Sequence, residues 1–180
     1  MYCRLLAFTL CFLAGCQAPP PDVARQEVAR LRASLERHRP AYLKAIDEGN
    51  RLIPETLVWL DGRAAQQPRS IALAEARTLT GKWANVYFVP RSMHEQLRFD
   101  RYSSAKAGAA HQRVLSLLRR DYFELHEYQR YAQRASEATL HGASGGRLPP
   151  QLHEFRRRLR ARPPFADEIG PLLAALNAGR

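Results

Sequence analysis

From Asp22 onward, apolar or small residues return at alternating steps of four and three: Ala24, Val28, Leu31, Leu35, His38, Tyr42, Ala45, Gly49 and Leu52. Such steps put every member on one side of a helix, so they predict a long amphipathic helix with a heptad-like seam over residues 22–52. Asp22 is its expected N-cap, because a carboxylate there accepts from the free amides of the first turn. Pro40 is expected to kink it, lacking an amide to donate and crowding the preceding turn. Pro54 and then Asp61-Gly62 predict the connection that follows.

A second helix is expected over residues 70–88, with Ala72, Ala76, Leu79, Trp83 and Val86 on one face. Val89-Pro90 should close it, since the residue before a proline avoids the helical region. Ser92-Met93-His94-Glu95 has the spacing of a capping box and predicts a new short helix to about Tyr102. The longest pattern covers residues 104–141, striped by Val114, Leu118, Tyr122, Leu125, Tyr128, Ala132 and Ala135 with no internal proline. Residues 142–150 are rich in glycine and end in two prolines, which reads as a loop. Beyond it, Leu152, Phe155 and Leu159 edge a basic helix. Residues 165–176 then predict a short apolar helix, bent or restarted at Gly170-Pro171.

No stretch alternates over the length that a sheet requires. The expected fold is therefore all-α: an elongated, antiparallel helical bundle of three to four main helices with no sheet. Its body covers residues 23–141, followed by the Gly/Pro loop at 142–150 and the basic and apolar C-terminal helices at 151–180.

Composition agrees with a single ordinary domain: 180 residues, 46% hydrophobic and 25% charged, and neither an internal repeat nor a low-complexity tract interrupts it. The charge balance is less ordinary. The chain carries 28 Lys+Arg against 17 Asp+Glu, a net +11, and its lysines are only Lys44, Lys82 and Lys106. Arginine prevails, and its planar fork suits phosphate and carboxylate partners. The arginines concentrate at Arg156-Arg157-Arg158-Leu159-Arg160-Ala161-Arg162, on the basic helix after the Gly-rich loop. Two readings of that run stand side by side. It is either a solvated helix face or a basic amphipathic helix, able to swing from the bundle, that meets anionic lipid or an acidic protein patch.

The first residues follow a different pattern. Arg4 provides a positive start, and Leu5 opens an apolar run that ends at Gly15. At about eleven residues it is too short to cross a hydrocarbon core of about 30 Å as a helix, and it has the build of a signal h-region. It closes in Leu13-Ala14-Gly15-Cys16, which resembles the lipobox of bacterial lipoprotein precursors. The resemblance covers the first 17 residues or so and says nothing of the domain. It implies that residues 1–15 are a signal peptide, that Cys16 receives a diacylglyceryl group and becomes the acylated first residue (the palmitate-bearing class), and that residues 16–22 are a lipidated, Pro-rich tether. In the Gram-negative members, Asp after the cysteine commonly marks retention in the inner membrane. Gln17 accordingly favours the inner leaflet of the outer membrane. Cys3, Cys11 and Cys16 are the chain's cysteines, so such maturation leaves the domain without a disulfide in a compartment that permits them. An exported protein meets lipid phosphate, lipopolysaccharide and acidic glycan, not nucleic acid.

Chemistry elsewhere is sparse. His126-Glu127 resembles the start of a zinc-protease helix, but position 130, where the second histidine belongs, is Arg130, which cannot ligate. Glu-x-x-His, the di-iron spacing, does not occur in the chain. His111 and His126 lie over 20 Å apart along one helix at about 1.5 Å per residue, too far to share an ion. There is no Gly-x-Ser-x-Gly elbow, and Ser144 falls in the Gly-rich loop. Gly142-Ala143-Ser144-Gly145-Gly146 lacks the lysine of a phosphate loop and reads as a hinge. Glu124 and Glu127 are expected on a solvated face beside Arg120 and Arg130. Tyr122, Phe123, Tyr128 and Tyr131 are expected as core and groove lining. No catalytic residue, metal or cofactor is therefore expected. The expectation is a lipid-anchored, periplasm-facing, non-enzymatic binding, assembly or immunity-type module for another envelope component. The alternative is an envelope enzyme acting on peptidoglycan or lipid, which needs a cleft of convergent carboxylates or histidines.

Overall fold

The computed structural model of the chain describes residues 19–63, 68–140 and 150–178. Among these it is all-α, with no strand: α1 (Pro21–Val58), α2 (Arg69–Leu97), α3 (Ala105–Leu140), α4 (Pro150–Ala161) and α5 (Ile169–Asn177), plus an irregular turn at Trp59–Arg63 kinked at Gly62. The expected signal at residues 1–15, Cys16 and the Gly-rich residues 142–149 lie outside the described residues.

The α1 seam is a core seam. Leu31, Leu35 and Leu52 are fully buried and Tyr42 and Ala45 nearly so. At 38 residues α1 is about 57 Å long. Its first turn differs from the expectation, because Pro20 rather than Asp22 occupies the cap and Pro21 opens the helix. A proline there loses no bond, since the first amides are unpaired anyway. Asp22 sits in the first turn, where its charge favours the helix dipole.

Proline breaks none of these helices where the sequence pattern expects it to. α1 passes through Pro40 and Pro54, both exposed, so the bonds they forgo fall on the solvent side. It ends instead after Thr56, Trp59 and Leu60 are buried, where Gly62 takes φ 152°, a conformation a side chain would resist. α2 passes through Pro90, so no second helix opens at Ser92, and the Ser92 hydroxyl accepts from Gln96 within the same helix. The apolar stripe explains the continuation: Val86, Pro90, Met93 and Leu97 succeed one another as buried positions. Burying side chains such as Met93 and Leu97 is worth about 1.5–3 kcal/mol each, against about 3 kcal/mol for an interior proline.

Long-range contacts set the topology. The Trp83 indole donates to Thr56 Oγ1 near the end of α1, while Val86, further along α2, packs on Gly49, further back along α1, so α2 runs antiparallel to α1. Glu27 meets Ser103 and Ser104, and Tyr42 meets Asp121, so α3 runs parallel to α1 again. Phe155 stacks on Tyr131 at 5.0 Å while Arg162 reaches Glu124, so α4 descends α3. α5 continues the descent along α1, from Arg39–Asp167 to Arg32–Asn177. The molecule is thus an up-down-up-down bundle whose fourth member is α4 and α5 joined by an extended strap, residues 162–168. Pro163-Pro164, without amides to donate, interrupts that member.

Candidate functional site

The arginine run covers the end of α4 and, with Arg162, the first residue of the strap, and the structure gives each of its members a partner. Arg156 and Arg160 share Asp61, at 3.4 and 2.7 Å. Arg157 and Arg158 share Glu154, at 2.5 and 2.9 Å. Arg162 Nε lies 2.5 Å from Glu124 Oε1, an ion pair without hydrogen-bond alignment, and its guanidinium caps the Phe165 ring at 4.0 Å. α4 is docked rather than swung out: Leu152, Phe155 and Leu159 are 2%, 0% and 1% exposed. Three carboxylates therefore face five guanidiniums, leaving an excess of two positive charges on this face. Arg162 belongs to the packing more than to the surface, its side chain 17% exposed against 78% for Arg157.

The strap is fastened by polar side chains far away in sequence. The Asn50 amide donates to Phe165 O and accepts from Phe165 N, at 3.0 and 2.7 Å. Arg39 grips Asp167, whose other oxygen accepts from the Ile169 and Gly170 amides at 3.1 and 2.9 Å and so caps α5. A Cβ on Gly170 would lie 2.6 Å from Asp167 Oδ2, so glycine keeps this clamp closed. Burial works to raise the Asp167 pKa, but the Arg39 and Gly170 hydrogen bonds outweigh it and hold the carboxyl below its usual value. Deeper in, Tyr42 donates to Asp121 Oδ2 at 2.6 Å, and Arg120 joins Asp121 to Glu168 at 2.7 and 2.6 Å. Burial, reinforced by the Asp121 charge, drives the Tyr42 pKa far above the ordinary phenol value. This network is occupied within the molecule, and it ties α1, α3 and the strap together.

The other sequence candidates divide. His111 is a core residue whose Nε2 donates to Leu97 O at 2.9 Å. Glu124 is not on a solvated face: besides Arg162 it accepts from the Tyr128 hydroxyl at 2.6 Å, because the strap folds over it. Glu127 keeps the expected setting, paired with Arg130 at 3.2 Å. Among the described residues no group of three His, Cys, Asp or Glu side chains converges to hold a metal. A cleft of about 480 Å³ opens between the end of α1 and the start of α2, lined by Glu55, Trp59, Ser70, Ile71, Glu75 and Thr78. Glu55 there is paired with Lys82 at 2.5 Å.

The aromatic group splits in two. Tyr128 and Tyr131 enter the core against Trp83 and Phe155. Tyr122 and Phe123, stacked at 4.7 Å, join instead a row on the outer seam between α2 and α3, which sequence reasoning did not single out. There Tyr87 lies against His126 at 5.0 Å and the edge of His94 against Tyr122 at 5.4 Å. Arg91 lies over Tyr87 and donates to its hydroxyl, and Arg119 lies over Phe123. Neither arginine has a carboxylate partner among the described residues, unlike all five of the arginine run. A ring is the weaker partner: a cation over an exposed ring gains about 0.5–1 kcal/mol, a hydrogen bond to a charged group about 1.5–3 kcal/mol. Phe88 and Phe123 project from the same two helices, 61% and 50% exposed. His94 is half-buried, its Nδ1 without a partner, and burial, helped by Arg98 and Arg119, holds its pKa below the usual imidazole value. The signal for this seam was present as helical spacing, 87, 91, 94 on one helix and 119, 122, 126 on the other. Which helices would face each other was not. Compared with known proteins, the chain matches no family model, no curated protein and no solved structure.

Proposed function

We propose that the chain is an exported lipoprotein, held to the outer membrane's inner leaflet through acylated Cys16, whose helical domain is a non-enzymatic binding, assembly or immunity-type module for another envelope component. The observation that carries the reading is Leu13-Ala14-Gly15-Cys16 at the end of a short apolar run. One acyl chain binds a bilayer marginally, whereas two or three make attachment effectively permanent. Only residues 17–20 separate that cysteine from the first residue of α1. At about 3.1 Å per residue for a Pro-rich tether, the domain hangs within roughly 20 Å of the lipid. Its partners are then membrane-proximal, whether an envelope protein or anionic lipid and glycan met by the arginines of α4.

The test of the anchor is Cys16→Ala. The expected outcome is loss of radioactive palmitate labelling and release of the protein from the membrane fraction. Unchanged labelling and retention would overturn the lipoprotein reading. The alternative, an envelope enzyme acting on peptidoglycan or lipid, draws on the cleft beside Trp59, where Glu55 and Glu75 line one wall each of the same opening. Peptidoglycan or phospholipid turnover by the purified domain, lost in Glu55→Gln or Glu75→Gln, would establish it.

A further inference from the structure

The outer seam of α2 and α3 combines three properties that do not coincide elsewhere among the described residues. Its rings are half-buried and packed against one another, so the surface is firm. Two phenylalanines stand clear of it, Phe88 and Phe123. Two guanidiniums, Arg91 and Arg119, rest on rings and have no carboxylate partner among the described residues. We infer that this seam is the domain's docking face for an acidic segment of another protein, one that places carboxylates on Arg91 and Arg119 and an apolar side chain against Phe88 and Phe123.

Charge complementarity selects this occupant. A second copy of the chain would bring a net charge of +11 toward another +11, with no surplus of acid to meet these arginines. A membrane-seeking helix exposes a continuous apolar stripe beneath a charged face. Here the tyrosines and histidines between the two phenylalanines are half-buried and packed on one another, so no continuous apolar stripe is exposed. Arginine and aromatic side chains at the centre of a firm patch are the composition of protein-interface hot spots. Carboxylates arriving from a partner would replace the rings as the arginines' stronger contact. The inference rests on the binding-module reading and assigns it a surface.

The test is photo-crosslinking in the full chain expressed in its own host. The photoreactive phenylalanine analogue p-benzoylphenylalanine replaces Phe88 or Phe123, with Arg157 on α4 and Arg37 on α1 as reference positions. The expected result is a protein adduct at Phe88 and Phe123 whose crosslinked peptide, read by mass spectrometry, is net acidic. The yield should fall at least tenfold in Arg91→Glu/Arg119→Glu and stay within a few-fold of wild type in Arg91→Lys/Arg119→Lys. Thermal melts of both variants separate lost docking from lost fold, and the lysine variant keeps the comparison if the glutamate variant does not fold. The inference is overturned if the adducts at Phe88 and Phe123 are to lipid or to a second copy of the chain. It is equally overturned if their yield ignores charge reversal, or if their peptides are not acidic. Protein adducts at Arg157 or Arg37 but not in the seam would leave the binding module standing and move its surface. No protein adduct at any of the four positions would remove the binding-module reading along with the seam.

Discussion

Glu27 illustrates how much of this fold rests on single side chains reaching across helices. Its carboxylate accepts from the Ser103 amide and hydroxyl at 2.8 Å each and from the Ser104 amide at 2.7 Å. A residue of α1 thereby holds the two residues that lead into α3, whose amides have no acceptor within the helix. The backbone hydrogen bonds from Ser103 and then Ser104 lower its pKa from 4.5 to about 2. A folded-state pKa below the unfolded one means that the contribution to stability is fully present above the unfolded value and is lost as protons bind in the folded state. The difference in melting temperature between wild type and Glu27→Ala should therefore be constant above pH 4.5 and shrink between pH 4.5 and about 2. A difference independent of pH across that window would mean that the charge does not hold these two residues.

At the scale of elements, α4 and the strap that follows it carry two kinds of arginine. Arg162 is inward, clasped by Glu124 and set over Phe165, and removing it leaves a half-buried carboxylate with less compensation. Arg162→Gln should cost about 1–3 kcal/mol, measured by denaturant unfolding. Arg157→Gln should cost under about 0.5 kcal/mol, as for surface substitutions generally. Equal costs would contradict the division. A test of α4 against anionic vesicles must accordingly spare Arg162, or binding and folding are confounded. With Arg156, Arg157, Arg158 and Arg160 changed to Gln, co-sedimentation of the unlipidated protein with anionic vesicles should fall at low salt. At about 1 M salt, where the Debye length is about 3 Å, wild type and variant should be indistinguishable. Equal binding at low salt would leave this run as a solvated face.

The whole molecule depends on its fourth member more than the short lengths of α4 and α5 suggest. Phe155, Leu159 and Ile169 are at most 1% exposed and Leu172, Leu173 and Leu176 at most 8%, so together they close the groove between α1 and α3. The Asn50, Arg39 and Arg120 contacts hold the strap between them. Ending the chain after residue 149 should abolish the single cooperative melt and expose the groove, read as binding of a hydrophobic dye. A truncated chain that melts cooperatively near the full-length temperature would show that residues 150–178 are an appendage. No cysteine follows Cys16, so the melt of the mature domain should be indifferent to dithiothreitol.

The sequence by itself determined the fold class and the inner faces of the helices. Leu31, Leu35, Leu118 and Leu125, picked out by spacing alone, are 0–4% exposed, because a 3.6-residue period reports directly which side of a helix turns inward. It also carries Leu13-Ala14-Gly15-Cys16, on which the proposed anchor rests. It misjudged Pro54 and Pro90 as ends of helices, since a local rule cannot weigh one lost hydrogen bond against side chains buried on the next turn. Only the tertiary structure decided which charges distant in sequence meet. Arg156 finds Asp61 across 95 positions and Arg39 finds Asp167 across 128, separations that no local pattern encodes. It likewise sorted two adjacent kinds of aromatic residue, sending Tyr128 inward and Tyr122 to the outer seam. That choice depends on which helix lies opposite, and bundle topology, not helical period, sets it.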